Sequence, residues 1–278
     1  IMTIKTIAIQ GIKGAFHEEA AKNVFGNDIN ISPSITFQEL TTKVVNEEVD
    51  YALMAIENTI SGTILQNLEL IRNNDLAIIG ETYLRIEQNL GALKGATINE
   101  LTEVSSHYMA LNQCRAFFKN HPTVKLVESA DTALSLKEVS EQDNPQIAAI
   151  GSKLAIEEYG LELLAKGIET DKSNYTRFAV LGKHIDTSTD GAKVSLSIIL
   201  SNVSGALSKA ISLLHLLGVN LTKIESAPVI GKPFQYRFFL DFILHEKVSF
   251  QNTIEALTPF TIELKILGKY HPGKIDYT

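Results

Sequence analysis

Asn174-Tyr175-Thr176-Arg177-Phe178 sets a hydroxyl beside a guanidinium, between two aromatic rings and just ahead of the apolar run Ala179-Val180-Leu181. A proton donor and a fixed positive charge against apolar walls suit an anionic, ring-shaped substrate with a hydroxyl to be protonated. A strand offers a plainer reading. Its successive side chains point to opposite faces, so a Thr-Arg pair can simply be one inward and one outward residue.

Other candidates sit where apolar runs give way to helical patterns: Gly11-Ile12-Lys13-Gly14, Glu57-Asn58-Thr59-Ile60-Ser61-Gly62, Ser105-Ser106-His107, Glu128-Ser129-Ala130-Asp131-Thr132 and Gly151-Ser152. In open α/β sheets, ligands lie off the carboxyl ends of the strands, where such turns gather. Each following helix opens with unpaired N–H groups and a partial positive charge, which suits carboxylates. Ser, Thr and Asn at these points are also ordinary helix caps. Asn58 and Thr59 follow a buried strand, and Ser106 has the same placement. Gln113 lies about two turns into the next helix, facing either a cleft or solvent. His17 falls in the first turn of an exposed-looking helix with Glu18 and Glu19, which reads as a surface histidine. No His/Asp/Glu set has metal-ligand spacing, and no dinucleotide or phosphate-loop glycine pattern is complete. Cys114, the single cysteine, precludes an internal disulfide and reads as a small core residue.

The elements that must position these residues alternate. Strands are expected at Ile4–Ile9, Tyr51–Ile56, Leu76–Tyr83, Glu103–Ser105, Val124–Val127, Ile147–Ile150 and Tyr175–Leu181. Helices are expected at Ala15–Phe25, Phe37–Val45, Ile64–Ile71, Leu111–Phe118, Ala130–Val139 and Lys153–Tyr159. Such alternation predicts α/β layers. Lys183–Lys193 is polar and aperiodic, a linker. Beyond it the pattern strand Val194–Leu200, helix Gly205–Leu217, strand Val219–Glu225, strand Tyr236–Phe242, helix Phe250–Leu257 and strand Ile262–Leu267 gives β-α-β-β-α-β, the ferredoxin-like plait. The chain has 278 residues, 45% of them hydrophobic, and a net charge of −7. That composition supports a folded protein of one large or two modest domains and disfavours nucleic acid as a partner. No apolar run approaches membrane-spanning length, and the start at Ile1-Met2-Thr3 has no signal-peptide pattern, so a cytoplasmic location is expected.

Taken together, these residues resemble the prephenate dehydratases, in which a catalytic domain precedes a regulatory ACT domain. Asn174-Tyr175-Thr176-Arg177-Phe178 looks like the family's Thr-Arg-Phe signature. Ile56-Glu57-Asn58-Thr59 with Ser61-Gly62 resembles its Glu-Asn-Ser/Thr motif, and Ser106-His107 with Gln113-Cys114 its Ser-His segment. Gly205-Ala206-Leu207 and Glu225-Ser226-Ala227-Pro228 resemble the ACT pair that binds phenylalanine. The resemblance implies a two-lobed catalytic domain like a periplasmic binding protein (residues 1–183), then a ferredoxin-like ACT domain (193–278). It implies cofactor-free decarboxylative dehydration of prephenate to phenylpyruvate, on the route to phenylalanine. Thr176 would be the donor to the leaving hydroxyl, with Asn58, Ser106 and Gln113 as polar positioners and Arg177 supporting the site or a carboxylate. Thr59, Ser61, Gly62 and Phe178 would meet substrate. Asn202, Gly205, Ala206, Leu207, Glu225 and Ser226 would hold the effector L-phenylalanine, in a homodimer or homotetramer paired through the ACT domains. The chain departs from the family pattern at Ala227, where Arg is usual, at Tyr108-Met109 for Pro-Gln, at His17 for Ser and at Phe234 for Trp. Loss of the guanidinium at 227 is expected to weaken phenylalanine feedback. Three other functions fit the same elements: a non-catalytic small-anion-binding protein, an arogenate dehydratase, or an amino-acid sensor in which only the ACT region works.

Overall fold

Helical and strand periodicities hand over to one another along the chain, and in the computed structural model, which describes residues 4–275, they build three sheets. The Ile1-Met2-Thr3 start lies outside the described residues. The first stretch holds β1 (Lys5–Gln10), α1 (Phe16–Phe25), β2 (Ile29–Ser34), α2 (Phe37–Val45), β3 (Tyr51–Asn58), β4 (Gly62–Thr63), α3 (Leu65–Asn73) and β5 (Ala77–Arg85). The second holds β6 (Asn89–Ala92), β7 (Glu103–His107), α4 (Tyr108–Phe118), β8 (Lys125–Ser129), α5 (Thr132–Glu141), β9 (Ile147–Gly151), α6 (Lys153–Glu158) and β10 (Glu162–Ala165). Then β11 (Tyr175–Gly182) returns to the first sheet, between β3 and β5, so the order there is β2-β1-β3-β11-β5 with β4 on β3. The second sheet runs β10-β6-β9-β7-β8. Two crossings, β5 to β6 and β10 to β11, therefore join two α/β lobes.

The lobes also touch at the opening turn of α1. Gly14 has φ +85°, and a Cβ there would stand 2.6 Å from the Ala155 Cα, so only glycine allows this approach. Ser152 Oγ donates to the Gly14 carbonyl at 2.5 Å and Tyr159 Oη donates to that of Lys13 at 2.7 Å. The Gly11–Gly14 turn, expected as a ligand junction, is therefore largely a lobe-to-lobe joint.

The last stretch comprises β12 (Lys193–Leu200), α7 (Ala206–Leu216), β13 (Asn220–Pro228), β14 (Tyr236–Ile243), α8 (Phe250–Leu257) and β15 (Thr261–Tyr270). Its sheet is antiparallel in the order β13-β14-β12-β15, the plait the β-α-β-β-α-β pattern predicts. One face is covered by α7 and α8 through Leu214, Leu257 and Phe242. The other packs on the first lobe, where Met54, Ile56, Ile71, Ile78 and Leu181 share one apolar cluster with Ala227, Phe239, Leu267 and Tyr270. The approach is closest at Gly268, where any side chain would collide with the Ile78 carbonyl. The polar linker spans residues 183–192; Lys193 is not part of it but the buried first residue of β12. Among the described residues no helix is long and apolar enough to cross a membrane.

β2, β4, β6 and β10 escaped the sequence reading. β2 is an edge strand in which Asn30, Ser32 and Pro33 dilute the apolar signal. β4 has two residues and β6 and β10 four each, too short for period-two patterning to register.

Candidate active site

The cleft between the lobes is a cavity of about 470 Å³. From the first lobe it receives Gln10, His17, Phe37, Asn58, Ser61, Asn174, Thr176 and Phe178; from the second come Gln88, His107, Met109, Gln113, Asp131 and Thr132. Three helices begin at its wall. Phe16 and His17 open α1, Met109 and Ala110 lie in the first turn of α4, and Thr132 opens α5. Their first-turn N–H groups lack intrahelical acceptors, but His107 Nδ1 caps the Met109 N–H and the Asp131 carboxylate caps that of Leu134, so α1, which has no side-chain cap, presents the open positive end. Among the described residues no Lys or Arg lines it, and its one carboxylate is Asp131. An anion here is held by helix termini and neutral donors, in a chain of net negative charge.

Thr176 sits at the centre of a fixed amide network. The Asn58 side-chain oxygen accepts the Ile60 and Ser61 N–H groups, both at 2.9 Å, which orients its amide. Nδ2 of Asn58 then donates to Thr176 Oγ1 at 3.0 Å and to Asn174 Oδ1 at 2.8 Å. Asn174 Nδ2 donates to Gln113 Oε1 at 3.1 Å, and Gln88 Nε2 donates to the same oxygen at 3.2 Å. Because Thr176 Oγ1 already accepts, its own proton is available to the cleft, the direction a leaving hydroxyl needs.

Arg177 does not share this wall. β11 obeys its pleat: Thr176 and Phe178 line the cleft, while Arg177 points to the opposite face, against the third sheet. Its Nε donates to Glu81 at 2.7 Å, Nη1 to Asp241 at 2.5 Å and Nη2 to Tyr270 Oη at 3.1 Å. Lys193 Nζ stands 2.8 Å from Glu81, and Lys223 Nζ 3.2 Å from Glu57, which Arg177 also reaches at 3.3 Å. Three cations thus face three carboxylates, and Ser195 Oγ adds a 2.6 Å bond to Asp241. Burial opposes the Arg177 charge, but Asp241, Tyr270 and Glu81 more than offset it and keep the guanidinium protonated. The Tyr270 phenol is pushed well above its usual range, first by burial and then by Asp241.

Other expected site residues divide. Asn58, Ser61, Gln113, Thr176 and Phe178 line the cleft. Ser106 is fully buried and donates to the Ile150 carbonyl at 2.7 Å, clipping β7 to β9; β7 runs through His107, so Ser106 lies inside the sheet rather than at its end. Thr59 Oγ1 donates to the Ser173 carbonyl at 2.8 Å and faces a separate cavity, about 800 Å³, shared with Arg177, Lys193 and Thr222. Gly62 makes the turn into β4 with φ +80° and does not line the cleft. Residues that sequence reasoning did not assign to the site are Asn174, Gln88, Gln10 and above all His17. His17 was expected at the surface, yet its ring packs on Phe178 and Phe37, and burial lowers its pKa to about 4. The helical spacing of His17 with Ala20 and Ala21, both buried, is the signal that could have found it.

In the third sheet, Asn202, Ala206 and Leu207 line a small cavity of about 140 Å³ with Val203, Phe234 and Tyr236. Gly205, at φ +80°, precedes α7, and Glu225 and Ser226 lie on edge strand β13; none of the three lines this cavity. Ala227, expected near the effector, is instead buried in the apolar cluster against the first lobe.

The family model for prephenate dehydratase matches residues 7–186. A bifunctional chorismate mutase/prephenate dehydratase of Aquifex aeolicus is 34% identical over 266 residues, covering 95% of this chain and 73% of that protein. Among solved structures, a chain described as GqqA, a novel type of quorum quenching acylase, superposes with a TM-score of 0.87 at 28% identity, covering 96% of this chain and 98% of its own. The prephenate dehydratase of Arthrobacter aurescens, solved in complex with L-Phe, superposes with a TM-score of 0.85 at 29% identity, covering 96% and 89%. The chain belongs to the prephenate dehydratase family.

Proposed function

We propose that the cleft catalyses the decarboxylative dehydration of prephenate to phenylpyruvate. The observation that carries this is the Asn58-to-Thr176 hydrogen bond, which leaves one hydroxyl proton directed into a cavity walled by rings and helix N-termini. As the ring C–COO⁻ bond breaks, its electron pair moves into the ring, and the C–O bond at the far ring carbon breaks with its pair leaving on the hydroxide. The departing hydroxide takes a proton, so one prephenate dianion and one proton give phenylpyruvate, CO2 and water. Aromatisation drives the step, and no electron sink is required. The Thr176 hydroxyl meets the charge that grows on the leaving oxygen. The helix termini, above all the uncapped start of α1, hold the carboxylates without a cation, so the departing carboxylate is not over-stabilised in the ground state. Arg177 acts at a distance, by fixing β11 to the third sheet.

Residues 193–278 form the regulatory ACT domain in this reading, with L-phenylalanine as effector. The cavity at Asn202, Ala206 and Leu207 is smaller than the usual 300–1,000 Å³ of a ligand site. Around it Val203, Phe234 and Tyr236 are exposed, and Leu216 and Ile224 continue the apolar surface across α7 and β13. A second copy pairing through that surface completes the pocket, which makes the protein a homo-oligomer. The reading places the protein in the cytoplasm, with its substrate.

Mixing the purified chain with prephenate and following phenylpyruvate tests the activity. Formation with saturation kinetics supports it, and binding without turnover rejects it in favour of a binding protein. A parallel assay with arogenate, read as phenylalanine formed, reports the substrate preference.

A further inference from the structure

A histidine stands in the cleft where the family pattern has serine, and its hydrogen bonding is one-sided. The Ala55 N–H donates to His17 Nε2 at 3.4 Å, from β3. In a neutral ring with Nε2 accepting, the proton is on Nδ1. Among the described residues no protein group bonds Nδ1, and it is not one of the sealed, partnerless polar atoms, so it opens into the cavity. The ring cannot easily turn away: it meets Phe178 edge-on, with centroids 4.9 Å apart, and Phe37 at 5.7 Å. Burial disfavours its charged form, so at neutral pH it is an uncharged donor.

From α1, its packing on Phe178 of β11 selects the atom it would meet. Phe178 follows Thr176 by two residues on the same face, a separation of about 6–7 Å along a strand. That is roughly the distance between opposite ends of the substrate ring with their substituents. With the ring hydroxyl at Thr176, the opposite ring carbon, which bears the departing carboxylate, lies toward Phe178 and His17. We propose that the Nδ1–H of His17 donates to the ring carboxylate that leaves as CO2 and so helps select the substrate; this rests on the reading of function above. His17 keeps its proton throughout. It releases neutral CO2, to which it binds weakly, so its contact is spent on binding and orientation rather than on proton transfer.

The test compares His17→Phe and His17→Asn with the wild type, each checked by thermal melting. The asparagine side-chain N–H can take the place of Nδ1–H. Steady-state kinetics with prephenate are read alongside the inhibition constant of phenylpyruvate, which lacks the ring carboxylate. Loss of a hydrogen bond to a charged group predicts about a 10- to 100-fold fall in kcat/KM for His17→Phe, carried mainly by KM. Phenylpyruvate inhibition stays within about threefold and His17→Asn recovers most of the loss, each well short of that fall. An active wild type with His17→Phe equal to it overturns this proposal alone. So does a variant in which prephenate and phenylpyruvate weaken together, since that is a structural defect. A wild type with no turnover overturns the functional reading and this proposal with it.

Discussion

Thr176 and Arg177 are adjacent, so replacing each in turn separates two ways a strand residue can matter. Thr176→Val exchanges a hydroxyl for a methyl of similar size. Asn58 Nδ2 loses one acceptor but keeps Asn174 Oδ1 and the Tyr175 carbonyl, at 2.8 and 3.2 Å, so the stability cost is that of one shared hydrogen bond, about 1 kcal/mol. The catalytic cost is the loss of a donor aimed at developing charge, about 10²–10³ in kcat. Arg177→Met keeps the cleft but leaves Glu81, Asp241 and Glu57 with two cations between them instead of three. Breaking a buried charge set by removing one partner costs about 3–5 kcal/mol. Unfolding entropy near 2.1 cal/mol/K per residue gives about 0.6 kcal/mol/K for the 278-residue chain, so Tm should fall by about 5–8 °C. Melting curves and prephenate kinetics on both variants decide the matter. Thr176→Val should be thermally near normal and catalytically crippled; Arg177→Met should melt early and, below its transition, retain much of its kcat. An Arg177→Met protein with unchanged Tm and abolished turnover would refute the assignment of the two faces.

Three further outcomes follow from the geometry. Asn58→Asp keeps the shape but turns a donor into an acceptor, so the Thr176 proton is drawn to residue 58 and away from the cleft; kcat should drop about as far as in Thr176→Val, roughly 10²–10³, measured by the same assay. His17 has a folded-state pKa of about 4 against 6.5 in the unfolded chain, so between those values the unfolded state binds the extra proton. Stability should therefore fall as pH drops from 6.5 to 4, by up to about 3 kcal/mol from this group, and urea titrations of His17→Ser should show that slope flattened. L-phenylalanine should bind in calorimetry and move with oligomeric state; a Phe234→Glu variant, charged on the exposed rim, should be monomeric in sedimentation and lose the titration signal.

Much of this could be read from the residues because the local rules agreed. Thr36, Asp131, Ser152 and Ser249 cap their helices as such residues should. The plait also follows directly from element order. What failed depended on depth and neighbours. Ser106 looked like a strand-end donor, but two more backbone partners carried β7 through His107 and left the hydroxyl inside the sheet. Thr59 is drawn out of the cleft by the Ser173 carbonyl, from a segment more than a hundred residues away in the chain. Arg177 was grouped with Thr176 because they are adjacent in the motif, although strand alternation already argued for opposite faces. His17 was misplaced because Glu18 and Glu19 suggested solvent, yet Glu18 itself is buried, accepting the Gly14 N–H at 2.8 Å and pairing with Lys22 at 2.6 Å.

The same alternation bears on how an effector signal could reach the chemistry. The third sheet is held to the first lobe by two kinds of contact. Apolar packing around Ala227, Phe239 and Leu267 is short-ranged and tolerates sliding only with loss of contact; the charge cluster at Arg177 fixes direction. Asp241 and Ser195 belong to the third sheet, Glu81 and Arg177 to the first, and Lys193 is the residue at which the chain enters β12. Any displacement of the third sheet must therefore either separate Asp241 from Arg177, at the cost of a buried charge, or carry β11 along. Carrying β11 along moves Thr176, one residue away, against an Asn58 amide whose oxygen is held by the Ile60 and Ser61 N–H groups of the turn after β3. A small shift would lengthen that 3.0 Å bond and misdirect the hydroxyl. Ala227 belongs to this account as a packing residue: its small side chain lets the sheets approach, and a guanidinium in its place would have to enter the apolar cluster or push the sheets apart. Alanine at 227 is accordingly a packing residue of the joint between the third sheet and the first lobe.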